Sequence, residues 1–451
     1  MRLSQRLLRS PSLATPTFVS VVLLSGGSFS AIAADAIPAI DAGSLTRQQE
    51  HQRSEAERAS HPSPALIDAR PSTTKSTSTS DVKVMVNSVH FSGGQELLSP
   101  AERSAVLQQV TGRLLDFSAL QALVNSITDT LHKKGYMFAR AYLPSQDVTA
   151  GKLDIVIAEG RLDGSPSQPV GWMVNLSAGS RRPAQTWLDM AEAALPSGSV
   201  VKEASLERGL LLINDVPGLS AKGNLLAGEN PGSVRVQLDV NEGKRFEGYL
   251  WADNYGSEST GRAQGHALVN INDPFGFKDQ ASLQISTSQG VNLGRLGYGF
   301  GMGSTGLRAS IGYSQLSYDV VKGVGKAAGL EGKSNIASVN LSYPFIRTQR
   351  SNFRGGVGVE RKAFKDESRL GVLRDKRSNV VTLSIGGDFV NDSRLAGFNL
   401  WRLAVATGDL DLSGAPSDAA VDASTRKTQG RWTKLNAYYS LMLRSSCEKQ
   451  L

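Results

Sequence analysis

From Phe246 almost to its end, the chain is a succession of weakly apolar segments that alternate with a period of two, with no apolar helical run among them. In one segment Ala337, Val339, Leu341 and Tyr343 are interleaved with Ser338, Asn340 and Ser342; in another Val381, Leu383, Ile385 and Phe389 share a register against Thr382, Ser384 and Asp388. A strand sends successive side chains to opposite faces, so this pattern places one face of each segment in an apolar medium and the other in a polar one. A soluble sandwich alternates too, but segments of about ten residues suit a tilted strand that crosses a membrane. Ten candidate strands follow: 246–255, 262–272, 279–288, 293–302, 305–318, 333–345, 351–364, 377–391, 396–411 and 430–444. Their connections are tight at Gly303-Ser304 and long at 320–332 and 413–430, as in a barrel with short inner turns and long outer loops.

A mean hydropathy of −0.20 and 40% hydrophobic residues are compatible with this, because half of each barrel strand faces a polar lumen. Past the N-terminus no stretch approaches the ~18 apolar residues of a membrane helix. Arg2, Arg6 and Arg9, an apolar stretch from Phe18 to Leu24, and the small-x-small run Ala31-Ile32-Ala33 read as a secretory signal peptide over residues 1–33. The single cysteine, Cys447, forms no intrachain disulfide, so an exported chain of this kind relies on burial, barrel closure or lipid. The net charge of +8 is scattered, with no run of five basic residues and no basic patch interleaved with aromatics. Nucleic acid is therefore not an expected partner; a basic lumen or anionic lipid headgroups are.

Between leader and strands lie several units. Residues 34–60 are polar, with helix formers from Ser44 to Ser60 and Ser44 near the expected N-cap. Residues 61–81 are rich in Pro, Ser and Thr and read as a flexible linker. Residues 82–162 form a β-α-α-β-β unit: a strand at 82–91, a helix at 99–110 with Ser99 as cap, Pro100 at the first position and Glu102 three residues on, a second helix at 118–134 with Leu120, Leu123, Val124, Ile127 and Leu131 on one stripe, then strands at 137–143 and 152–158. Residues 163–243 repeat that order, with a strand at 172–176, helices near 184–194 and 202–214, and strands at 219–226 and 234–241.

Two groups of residues carry a family resemblance. Gly135-Tyr136, Arg140-Ala141-Tyr142-Leu143-Pro144-Ser145-Gln146-Asp147, Gly151-Lys152-Leu153 and Glu159-Gly160-Arg161 resemble a polypeptide-transport-associated (POTRA) domain of haemolysin secretion/activation proteins, the outer-membrane partners of two-partner secretion. Leu250-Trp251-Ala252-Asp253-Asn254-Tyr255-Gly256, Thr260-Gly261-Arg262 and Asn272-Asp273-Pro274-Phe275-Gly276-Phe277-Lys278-Asp279 resemble the start of the same family's barrel. The resemblance implies a multidomain chain: two POTRA-like modules followed by an antiparallel transmembrane β-barrel over 244–451, with residues 34–60 as a plug-like helix. It implies an outer-membrane position with the N-terminal half in the periplasm, and export of a large β-helical exoprotein, a toxin or adhesin, in unfolded form. A barrel-assembly factor and a passive porin-like channel are the alternatives. Family barrels have sixteen strands and an Arg-Gly loop motif; the ten strands here, without that motif or a terminal aromatic strand, imply an incomplete, truncated barrel.

No catalytic, metal or cofactor site is expected. His51, His61, His90, His132 and His266 show no metal-ligand spacing. No Walker-type glycine loop occurs, and spacing leaves Ser/His/Asp combinations open without a Gly-x-Ser-x-Gly elbow. A turn-stabilising role for Asp253 outweighs a catalytic one. Arg140, Tyr142, Gln146 and Asp147 are the implied client-binding residues, although packing and turn formation account for the same types. Trp251, Asp253, Asn254, Gly256, Gly261, Asp273, Pro274, Gly276 and Asp279 are structural candidates at the start of the barrel. Trp172 and Trp187 are expected in a module core, and Trp251, Trp401 and Trp432 in an interfacial belt.

Overall fold

The computed structural model describes residues 20–22, 41–48, 83–230, 232–391 and 397–443. The cleavage signal at 31–33, the linker at 61–81 and the tail containing Cys447 lie outside these residues.

In the first module, Ser99 caps the helix Pro100–Val110 through a capping box, its hydroxyl accepting from Glu102 N while the Glu102 carboxylate accepts from Ser99 N. The helix Phe117–Lys133 starts one residue earlier than the stripe suggests, because the Asp116 carboxylate accepts from Ala119 N at 2.7 Å. It ends in a Schellman motif: Tyr136 N donates to Leu131 O (3.0 Å) and Gly135 N to His132 O (2.9 Å), with Gly135 at φ +86°. Those bonds occupy the backbone around 135–139, so the strand expected at 137–143 is only Arg140–Tyr142. The strand expected at 82–91 is broken at Asn87. Lys83–Val86 pairs with Arg113–Asp116, whereas Ser88–Ser92 runs parallel to Lys152–Ala158. All five residues of the helical stripe are buried with Phe91, Leu153, Ile155 and Ile157.

The second module repeats the plan. Trp172–Leu176 runs parallel to Ser233–Glu242, which pairs antiparallel with Leu219–Ala227. The helices Ala184–Ala194 and Glu203–Asn214 cover this sheet, and Trp172 and Trp187 are both buried in the core. The modules are joined by main-chain bonds, Val201 N to Gly160 O and Glu203 N to Gly135 O, each 2.9 Å.

All ten expected strands form one antiparallel meander from Phe246–Asp253 to Gly430–Leu443, each paired with the next in sequence. The sheet is open. Among the described residues Phe246–Asp253 has only Gln264–Asn272 beside it, and the second neighbour of Gly430–Leu443 is the short strand Ser20–Val22. Several strands exceed the expectation, with 17 residues in Glu331–Arg347, 18 in Ser351–Ser368 and 21 in Gly371–Asn391. Most of their surplus lies at the end far from the modules and carries Lys365, Asp366, Glu367, Arg374, Asp375 and Lys376, so it extends past an apolar slab that needs only about 9–11 residues per strand. The long connections at that end hold two short helices, Gly323–Ala327 and Pro416–Ser424. Two-residue links at 289–290 and 369–370 occur at the same end, so connection length does not separate the two ends as cleanly as expected.

The faces differ as the alternation requires. Leu296, Ile311, Val339, Leu341, Val357, Val359, Leu383, Val405 and Leu435 are exposed on one continuous outward face. An apolar surface spanning ten strands far exceeds the few hundred Å² tolerated in water, and it matches acyl chains instead. Near the modules this face carries a row of aromatics, Tyr343 edge-on to Phe345 (centroids 5.1 Å apart) and Phe345, Phe353 and Trp401 stacked in turn at 5.3 and 5.9 Å. That is the position of an interfacial belt. The opposite face is polar and rich in basic groups, presenting Arg308, Arg354, Lys362, Lys376, Arg402 and Lys434 on the same side as Ser338, Ser342 and Ser384.

Candidate functional site

The polar face of the sheet, the helix lodged against it and the two modules below it make up the candidate site. The described part of the expected 34–60 helix is residues 42–48. Its cap is Asp41 rather than Ser44: Ser44 N donates to the Asp41 carboxylate at 2.7 Å and Asp41 N to Ser44 Oγ at 3.2 Å. Ala42 and Leu45 are buried against Val291, Leu293, Leu316 and Tyr318 on the polar face, at the end far from the modules. Three polar ties fix it there. Ala42 N donates to Asp366 Oδ1 (3.0 Å), which also accepts from the Tyr318 hydroxyl (2.8 Å). Thr46 Oγ1 donates to Ser334 Oγ (3.0 Å), and the Arg374 guanidinium lies 3.6 Å from the Asp41 carboxylate. The helix thus lies against the polar face at this end.

The Trp251–Gly261 group builds the same end of the first strands. Trp251 stacks on His266 (4.8 Å, 11°) on the polar face, so it is not a belt residue. His266 Nε2 lies 3.0 Å from Asp253 Oδ2 and Nδ1 lies 2.8 Å from Ser286 Oγ. This is an Asp/His/Ser constellation, but Ser286 is 4% exposed and sits between two ladders opposite His266 and Leu293. The surrounding amides are committed to strand pairing, leaving no pair aimed at an oxyanion. Asp253 also accepts from Tyr255 N (3.0 Å), the turn-stabilising role. Gly256 passes so close to the Gly261 carbonyl that a Cβ would lie 2.1 Å from it, and Gly261 adopts φ +98° against Gln289. Asn254 is exposed. Trp432 faces inward over Gly408; of the three expected belt tryptophans only Trp401 faces outward.

At the other end, Asn272–Gln280 forms a turn organised around Asp279, which is fully buried and accepts from Phe277 N (3.0 Å), Phe275 N (3.3 Å) and the Tyr298 hydroxyl (2.8 Å). Gly276 (φ +84°) and Asp273 (φ 54°) take left-handed conformations on either side of Pro274, whose carbonyl accepts from Arg245. Asp273 is held by Arg182 of the second module, Nε to Oδ2 at 2.9 Å. Sequence reasoning missed the rest of this junction. Arg208 donates to Pro344 O (2.8 Å) and Thr305 O (3.1 Å), and Arg347 makes a two-pronged pair with Asp215 (2.8 and 2.7 Å). Pro344 itself sits at a register shift, the position in a central strand that tolerates a missing N–H. Beside Arg208, burial raises the Glu207 carboxyl above its usual value.

The four implied client-binding residues divide. Arg140 and Tyr142 are exposed on an edge strand. One outer main-chain donor of that strand is already used, Ala141 N donating to Thr128 Oγ1 (3.0 Å), and just before the strand Ala139 O lies 3.0 Å from His132 Nε2. Gln146 brackets Asp154, accepting from its N–H (2.7 Å) and donating to its carbonyl (2.8 Å), and Asp147 caps a turn through Thr149 N (3.0 Å). Ser88–Ser92 and Trp172–Leu176 are outer strands too, each parallel to its one neighbour, whereas the outer strand Leu219–Ala227 is engaged at Ala221 by Asn214.

Comparison with known proteins agrees with this organisation. Residues 84–160 match the model of the ShlB-type POTRA domain, and residues 232–443 that of the haemolysin secretion/activation protein ShlB/FhaC/HecB. The heme/hemopexin transporter protein HuxB of Haemophilus influenzae (strain 86-028NP) is 27% identical over 77% of this chain and 60% of its own length. The outer membrane transporter CdiB of Escherichia coli is 26% identical over 61% of this chain and 43% of its own. A solved structure of CdiB from Escherichia coli superimposes with a TM-score of 0.63 at 20% identity, covering 83% of this chain and 68% of that one. The chain spans about 60% of the length of HuxB. With a ShlB-type module ahead of a strand region that matches from its first strand to Leu443, the chain belongs to the haemolysin secretion/activation protein family, the transporters of two-partner secretion.

Proposed function

We propose that this protein is an outer-membrane translocase that receives an unfolded exoprotein in the periplasm and passes it along the polar face of its strands to the exterior. The observation that carries this reading is the placement of two parallel outer strands, Ser88–Ser92 and Trp172–Leu176, ahead of a sheet with one apolar and one polar face. An extended client adds a strand at such an edge through main-chain bonds, which need no particular sequence. Arg140 and Tyr142 act on the client through their exposed side chains, because the outward Ala141 N–H of their strand is already bonded to Thr128; Gln146 and Asp147 hold the loop that presents them. The relatives are transporters named for hemopexin and for haemolysin, which fits a large secreted β-rich client of the toxin or adhesin kind. Folding of the client outside supplies direction without a nucleotide, and no enzymatic step is needed. A photo-crosslinking residue at His90 or Asn175 is expected to capture a β-helical exoprotein during secretion, whereas one at Lys133 on the covering helix is not. Equal capture at all three positions refutes recognition by the edges.

A further inference from the structure

On the outward face of the sheet, close to the modules, lies an elongated groove of about 490 Å³. Its walls are Leu341, Tyr343, Phe345, Leu383 and Val405, and almost all of its surface is apolar. It exists because Gly355 has no side chain on this face; a Cβ there would come within 2.8 Å of the Phe345 ring. At the module end stands the Arg208 guanidinium, 5.8 Å from the Tyr343 ring centroid and 3.4 Å from its hydroxyl. It donates to the neutral carbonyls of Pro344, Phe345 and Thr305 and to that hydroxyl, and among the described residues no carboxylate pairs with it. The aromatic row of Phe345, Phe353 and Trp401 places this end at the level of the headgroups.

An apolar slot that opens onto the lipid side and ends at an unneutralised cation at headgroup depth matches an amphiphile with an acyl chain and an anionic group. We infer that the groove is a specific site for one glycerophospholipid of the inner leaflet, its acyl chain seated between Tyr343 and Leu383 and its phosphate on Arg208. Arg208 belongs to the module helix Glu203–Asn214 while the groove belongs to the sheet, so the bound lipid bridges the two and steadies the junction. The inference rests on the membrane-spanning part of the proposed function.

The test uses the full chain in dodecyl maltoside micelles, titrated with dipalmitoyl phosphatidylglycerol and read by native mass spectrometry. One lipid per chain is expected to survive. Arg208→Gln removes a charge-assisted contact and is expected to weaken retention about tenfold. Leu383→Trp fills the groove and is expected to abolish the bound species. Leu435→Trp, equally exposed on the same face but outside the groove, is expected to leave it unchanged. Retention that survives both Arg208→Gln and Leu383→Trp, or falls equally in Leu435→Trp, overturns the site and shows only unspecific lipid around a barrel. Arg208 lies outside the strands, so its variant stays informative if a groove variant misfolds. Insertion into vesicles of phosphatidylethanolamine and phosphatidylglycerol separates the two ideas: a chain that inserts but retains no lipid defeats the site alone, and one that never inserts defeats the translocase reading as well.

Discussion

Asp279 shows how much a single side chain supports here. Its buried carboxylate satisfies two backbone N–H groups and the Tyr298 hydroxyl in the turn that meets the second module. Asp279→Ala strands all three donors and is expected to cost about 3 kcal/mol in urea unfolding monitored in detergent micelles. Asp279→Asn, which keeps an acceptor, is expected to cost less. In the first module Glu102 is held down to about 2 by the hydrogen bond from the Lys134 ammonium and those from Ser99, against an ordinary value of 4.5. A depressed folded-state value makes this stabilisation complete above the unfolded value of 4.5 and progressively lost as pH falls toward 2. Denaturation midpoints of the wild type are therefore expected to fall across that window more steeply than those of Glu102→Gln. At this scale the sequence was legible where partners are local: Ser99 and Glu102 are three residues apart and read directly as a capping box. Arg182 and Asp273 are 91 positions apart, and nothing local announces their pairing.

Among the elements, the strands and helices followed periodicity, and the departures occurred where tertiary contacts overrode it. Asn87 divides a continuous apolar alternation because Val86 and Ser88 belong to different sheets. The helix over 42–48 could be read from composition, but its docking depends on Asp366 and Ser334, about 300 residues later. If this helix blocks the path, weakening its attachment opens it. Arg374→Ala removes a partly exposed ion pair worth up to about 1 kcal/mol, so the open fraction in planar bilayers is expected to rise up to about fivefold. Removal of residues 41–48 is expected to leave the conductance permanently high. Unchanged conductance in both variants places the barrier elsewhere.

For the whole molecule, the decisive property is that every strand segregates its faces in the same sense. Leu341→Arg on the outward face, two residues inside the aromatic belt, is expected to cost about 1–3 kcal/mol, between the interfacial and midplane penalties, measured by urea titration of the vesicle-inserted protein. Ser338→Arg, three residues away on the polar face opposite Gly312 and the acidic Glu360, is expected to cost little. Equal penalties would contradict the assignment of faces. The number of strands, their antiparallel order, the repeated β-α-α-β-β modules and the kind of medium on each face were determined by the sequence alone, because period, cap and turn signals act over a few residues. Tertiary structure alone decided that the inner face of the sheet holds a helix at the end far from the modules, that Thr128 takes the outward Ala141 N–H of the Arg140–Tyr142 edge, and that Arg208 ends a groove on the lipid side. Each depends on groups brought together from distant parts of the chain, and the free energy of such contacts is set by where the backbone places them, which no local pattern encodes.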